Sequence, residues 1–225
     1  MKRLDRTSET QKKHLELLGI PRWILRENQH AVSIKGLSNK STILDDLAFT
    51  VSQCTRCSLH TVRKNTVFGS GSRLADWLFV GEAPGAEEDR TALPFVGRAG
   101  MLLDSMIKAV GIRREDVYVT NVLKCRPPDN RDPAGVEVKQ CSAYLEKQIK
   151  LVEPRIIVAL GRCAAQALLQ SSIPIGKLRG QLHAHPVFGI PLITTYHPAY
   201  LLRSPLEKRK VWDDLLLAKT AFNEM

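Results

Sequence analysis

Four short apolar runs, spaced so that a helical pattern fits between them, constrain this chain more than any other feature. They lie at 76–81, 117–122, 155–160 and 191–195 and are rich in Val, Ile, Leu, Phe and Trp. Runs this short and this uniformly apolar read as strands covered on both faces. Between the first two, 100–110 places Leu102, Leu103, Met106, Ile107 and Val110 on one helical face, with Gly111 as the closing glycine. Further helical patterns fall near 133–151 and at 162–170. A last helix is signalled by a capping box, with Ser204 as N-cap, Pro205 at its first position and Glu207 at its third. Strands alternating with helices fold as right-handed βαβ units. The expected fold is α/β: three layers, α/β/α, around a four-stranded parallel central sheet.

The chain has 225 residues, 44% of them hydrophobic, enough for one sizeable domain. Lys and Arg total 33 against 23 acids, a net +10, which favours polyanionic partners, although a merely basic protein carries such a charge too. Residues 1–44 hold nine Lys/Arg against four Asp/Glu and are poorly periodic, apart from an amphipathic stretch around Leu15, Leu17 and Leu18. They read as a basic N-terminal extension ahead of a domain at 45–225. A helix at 42–52 delivers the chain to Cys54. No apolar run approaches the ~20 residues that span a bilayer. No apolar stretch follows the basic start, so neither membrane anchoring nor a signal peptide is expected. The expectation is a cytoplasmic monomer.

In a parallel sheet, ligands bind beyond the carboxyl ends of the strands. Here those ends are loaded. The first strand runs into Gly81-Glu82-Ala83-Pro84-Gly85, the second into Asn121, the third into Gly161-Arg162, and the fourth into Tyr196-His197-Pro198. A carboxylate, an amide and an imidazole thus face one crevice. Singly each is more often structural; jointly they indicate a site.

Five cysteines without a secretory signal point to metal or catalytic use, not disulfides. Cys54 and Cys57 form one knuckle, while Cys125 and Cys141 stand far off in sequence. Four thiolates so spaced suit zinc or an iron–sulfur cluster, and spacing does not choose. Cys163, opening a helix, reads as a small buried residue.

Gly81-Glu82-Ala83-Pro84-Gly85, Pro94-Phe95-Val96-Gly97, Thr120-Asn121-Val122 and His197-Pro198-Ala199-Tyr200-Leu201-Leu202, together with the four cysteines, resemble the motif set of family-four uracil-DNA glycosylases. The resemblance covers about residues 46–222. It implies a 4Fe–4S cluster on Cys54, Cys57, Cys125 and Cys141, uracil-containing DNA as substrate, and release of the flipped base to leave an abasic site. Phe95 is then the stacking ring. Asn121 suits the uracil edge, its NH₂ donating to O4 and its carbonyl accepting N3–H, a pattern that cytosine reverses. Glu88 is the candidate gate against the thymine methyl. His197 is placed to stabilise charge developing on O2. Ala83 stands where other branches carry a water-orienting side chain, which leaves Glu82 to orient water or stabilise the sugar cation. Leu201 is the expected wedge into the DNA stack, beside Tyr200, and Lys177, Arg179 and Arg203 the expected phosphate contacts.

Three rival readings fit parts of the sequence. A sister branch of broader base range would carry Leu in place of Glu82, and a branch that captures the abasic sugar covalently would place a histidine between Cys125 and Cys141, where none occurs. A non-catalytic iron–sulfur DNA-binding protein would explain charge and cysteines but not the convergence of Phe95, Asn121 and His197.

Overall fold

Trp77–Gly81 (strand β2) is buried at every position, as its unbroken apolar run requires. The structure, a computed structural model, describes residues 34–225, and a single compact unit spans Ser38–Met225. Around β2 stand β3 (Tyr118–Asn121), β4 (Ile156–Leu160) and β6 (Pro191–Thr195), in the order β3-β2-β4-β6 and all parallel. This is the expected four-stranded core. Two antiparallel edges are added, β1 (Ser70–Gly71) on β3 and β5 (Leu182–Ala184) on β6, giving six strands.

The pleat divides each strand between two layers. Trp77, Phe79, Val158, Leu160 and Ile193 face α3 (Arg98–Ala109), α7 (Pro198–Arg203) and α8 (Lys208–Asn223). Leu78, Val80, Ile157, Ala159 and Leu192 face α4 (Gly135–Val152), α5 (Arg162–Leu169) and α6 (Ile175–Leu178). The α/β/α sandwich follows. A short helix, α2 (Ala86–Thr91), occupies what reads in sequence as an acidic turn.

Helix α1 (Ile34–Ser52) begins eight residues before the expected start at 42, and its Leu44 and Leu47 are buried. The stretch around Leu15, Leu17 and Leu18 lies outside the described residues. Gly111 closes α3 as expected, at φ +84, with its N–H on the Lys108 carbonyl and Ile112 N–H on that of Ile107. The capping box at Ser204 does not form. Ser204 instead ends α7, its N–H bonded to Tyr200 O, and its side chain caps nothing. Pro205–Glu207 is a 3₁₀ turn, and α8 starts only at Lys208. Two helices share this junction, so the serine is used as a stop before it can serve as a start. Among the described residues no helix is long and apolar enough to cross a membrane.

Candidate active site

The carboxyl ends of the four central strands open into one cavity of about 740 Å³, whose walls include Glu82, Ala83, Glu88, Phe95, Asn121 and His197. Tyr200 and Arg203 stand at its rim. Eight of the eleven non-cysteine site residues expected from sequence therefore meet here.

Gly81 and Asn121 are register partners on β2 and β3. A Cβ on Gly81 would lie 2.3 Å from Asn121 Oδ1 and 2.5 Å from Phe95 Cζ, so only glycine lets these two groups approach. Asn121 is 2% exposed, and its Oδ1 has no hydrogen-bond partner among the described residues. A buried amide oxygen left unpaired costs about 1–3 kcal/mol, a deficit that a ligand N–H would repair.

Phe95 sits at φ 55, a left-handed conformation unusual for a large side chain. Glu88 holds it there. One carboxylate oxygen accepts the N–H groups of Val96 and Gly97, each at 3.1 Å, and the other accepts Gly85 N–H at 3.1 Å. Glu88 thus staples the Gly85 turn to the Phe95 loop. With both oxygens engaged by backbone, its contribution as a gate is to the shape of the wall. Gly100 lets α3 press against this loop, since a Cβ there would lie 1.8 Å from Phe95 O. The Phe95 ring centroid is 5.6 Å from that of His197, with the planes 30° apart.

His197 Nδ1 accepts the Ala199 N–H at 3.1 Å, which leaves the ring's proton on Nε2. Burial, aided by Arg203 and opposed by Glu88, pushes its pKa down to about 4, so the ring is neutral near pH 7. Gly161, at φ +91, lets β4 end close by; a Cβ there would lie 2.9 Å from His197 Cβ. Burial, then Asp132, hold the Glu82 carboxyl above the ordinary range, while Arg162 pulls it down. Arg162 and Asp132 are themselves ion-paired at the cavity wall. That pair escapes sequence reasoning, because nothing in the chain links residues 30 apart; so does Tyr196, whose ring lies 5.1 Å from that of Tyr200.

Two expectations are corrected. Leu201 is 1% exposed and packed in the core against the α3 and α8 layer, so it is no wedge; Tyr200 and Leu202 carry the exposed apolar surface of α7. Arg179 makes two hydrogen bonds, of 3.1 and 2.9 Å, to the fully buried carboxylate of Asp214 and a third to Lys210 O. It neutralises a buried acid and is not offered to phosphate. Lys177 is exposed and stands outside the cavity lining, a position open to phosphate.

Cys54, Cys57, Cys125 and Cys141 line a second, small cavity with Val51, Lys124 and Tyr144. None is disulfide-bonded, and Cys163 lies elsewhere. Arg63 Nη1 donates to Cys125 Sγ at 2.9 Å, and Lys124 N–H to Cys141 Sγ at 3.4 Å. Among the described residues no three His, Cys, Asp or Glu side chains are gathered as a single metal ion would need. The four sulfurs are instead spread round the cavity wall.

Residues 68–216 match the family described as the uracil DNA glycosylase superfamily. The type-4 uracil-DNA glycosylase of Archaeoglobus fulgidus is 45% identical over 168 residues, covering 72% of this chain and 84% of that protein. The chain belongs to the type-4 uracil-DNA glycosylases. The Thermotoga maritima type-4 uracil-DNA glycosylase is 43% identical over 187 residues, 80% of this chain and 95% of that protein. That of Saccharolobus solfataricus is 41% identical over the same length, 80% and 87%. All eight cavity residues fall within the span matched to the superfamily, as do Cys125 and Cys141; Cys54 and Cys57 precede it.

Proposed function

We propose that this type-4 glycosylase excises uracil from DNA by binding the flipped base between Phe95, Asn121 and His197 and hydrolysing its N-glycosidic bond. The observation that carries the reading is the unpartnered Oδ1 of Asn121, buried beside Phe95 in a residue that lines the cavity. Uracil N3–H would satisfy it and Asn121 Nδ2 would donate to O4; cytosine offers a bare N3 and an amino group, leaving both amide atoms opposed. Phe95 supplies the stacking face once the base has left the duplex, an extrusion that costs a few kcal/mol.

As the C–N bond breaks, negative charge collects on uracil and positive charge on the sugar. Neutral His197 donates from Nε2 to O2 as that charge develops, which needs no proton transfer. Glu82, at the cavity wall, orients the incoming water or faces the sugar cation, and Ala83 keeps the turn small. Arg203 and Lys177 contact phosphate, and Tyr200 packs on the neighbouring strand surface.

Cys54, Cys57, Cys125 and Cys141 would hold a 4Fe–4S cluster. The donor set fits: four unpaired thiols round one cavity, with N–H donors from Arg63 and Lys124 turned to two of them. A cubane takes one thiolate per iron and tolerates a wider spread of sulfurs than a single tetrahedral ion. Bound there, it would cross-link the end of α1 to the loop entering α4, part of which walls the base cavity. The protein is taken to act as a monomer in the cytoplasm, where thiols stay reduced.

The test is single-turnover release of base from a uracil oligonucleotide by the parent and by Asn121→Asp. The parent should release uracil, and the variant should lose at least ~10-fold, because an ionised carboxylate cannot donate to O4. Equal rates would remove Asn121 from base reading.

A further inference from the structure

Lys124 is sealed inside the protein at 1% exposure, between the two sites described above. Its Nζ donates to Thr120 Oγ1 at 2.7 Å and to Asn121 O at 2.6 Å, both at the carboxyl end of β3. Thr120 Oγ1 in turn donates to Phe68 O, so the hydroxyl is fixed as an acceptor for Lys124. Lys124 also lines the four-cysteine cavity, and its N–H faces Cys141 Sγ. Both oxygen partners of the ammonium are neutral. A buried ammonium with only neutral partners is costly, and negative charge close by is what makes it tenable. The groups at hand that would carry negative charge, once they ligate a metal cluster, are the cysteine sulfurs. A lysine whose sole task was to fill space would be replaceable by methionine; this one reaches from a cysteine-lined wall to the peptide that carries the base-reading amide.

We propose that Lys124 is a positioning residue that holds Asn121 in register for the base while offsetting the negative charge of the cluster that the four cysteines ligate. The proposal rests on the readings of Asn121 and of the cysteines given above. Hydrogen bonding to Asn121 O fixes the peptide plane after Asn121, and with it the direction in which the amide leaves the strand. Paired with ligating sulfurs, the same ammonium would set positive charge beside the cluster, which would favour its reduced form. The Asn121 end of β3 is thereby tied to the cysteine site through a residue that does not itself touch substrate.

The test uses the full chain purified without oxygen. Lys124→Met keeps length and removes charge and donor. It should hold the parent's iron and sulfide, shift the cluster's reduction potential to more negative values, and lower single-turnover uracil excision by about 10-fold or more with DNA affinity unchanged. A parent-like potential or a parent-like excision rate in an iron-loaded variant overturns the proposal. Should Lys124→Met fail to keep iron, Thr120→Val decides: it removes one Nζ acceptor away from the sulfurs. Slower excision at parent iron content and DNA affinity upholds the proposal, and a parent-like rate overturns it. The parent is assayed alongside. A parent without uracil excision or without iron sinks the functional reading itself, whereas an active, iron-loaded parent with an indifferent variant sinks only the role of Lys124.

Discussion

Gly81 stands beside Asn121 across the β2–β3 ladder, so close that a single added methyl carbon would come within 2.3 Å of the amide oxygen. Gly81→Ala should therefore push Asn121 and Phe95 out of place, with excision falling ~10²-fold, the loss that a displacement of about 1 Å brings. Overpacking should cost about 1–3 kcal/mol of stability as well. Rate and thermal midpoint measured on one preparation separate the two, and a parent-like rate would contradict the crowding described.

The pH profile offers a second check. His197 stays neutral down to about 4, so its titration should leave excision untouched around 6.5, its ordinary value. The acid limb should belong to Glu82, whose carboxyl is held above the usual range, and Glu82→Gln should both slow excision and remove that limb. A limb near 6.5 that vanishes in His197→Ala would reverse the assignment. Stability carries its own sign. Unfolded His197 takes up a proton near 6.5 and folded His197 only near 4, so the protein loses stability as pH falls through that window. His197→Gln should lose less over the same interval, read from thermal midpoints.

Arg179 and Arg203 should behave oppositely. Arg179→Ala leaves Asp214 buried without its cation and should cost about 3–5 kcal/mol, with no change in the salt dependence of DNA binding. Arg203→Ala and Lys177→Ala should leave the thermal midpoint alone and each flatten the slope of log affinity against log salt by ~0.9. A flatter slope for Arg179→Ala would restore it to the DNA surface.

Protein prepared without oxygen should be brown and contain about four irons and four sulfides per chain, the composition of a cubane cluster. Removing Arg63's donor to Cys125 Sγ, as Arg63→Met, should lower the potential without loss of iron. One zinc and no sulfide would refute the cluster.

The four central strands and the loops that follow them were legible in the sequence, because burial on both faces leaves unbroken apolar runs and ligand-facing turns leave Gly and Pro. Edge strands of two and three residues, β1 and β5, are too short for any such pattern. Leu201 and Leu202 look equivalent as letters; only the phase of α7 sends the first into the core and leaves the second exposed. Arg179 reads as a free cation until α8 brings Asp214 to it across 35 residues. Glu88 sits in a plain acidic run, and its service to three backbone amides depends on a fold-back that no local pattern announces.

The strand order has a consequence for what the pocket can measure. Asn121 leaves β3 and His197 follows β6, with β2 and β4 between them. Three inter-strand steps of about 4.8 Å set the backbones from which these two side chains reach about 14 Å apart. That backbone spacing is fixed by hydrogen-bond length, not by side-chain choice, so the sheet sets the frame within which side chains shape the pocket. Substitutions along the cavity wall can tune how a ring is held, but they leave the spacing of the two strands where the hydrogen bonds put it.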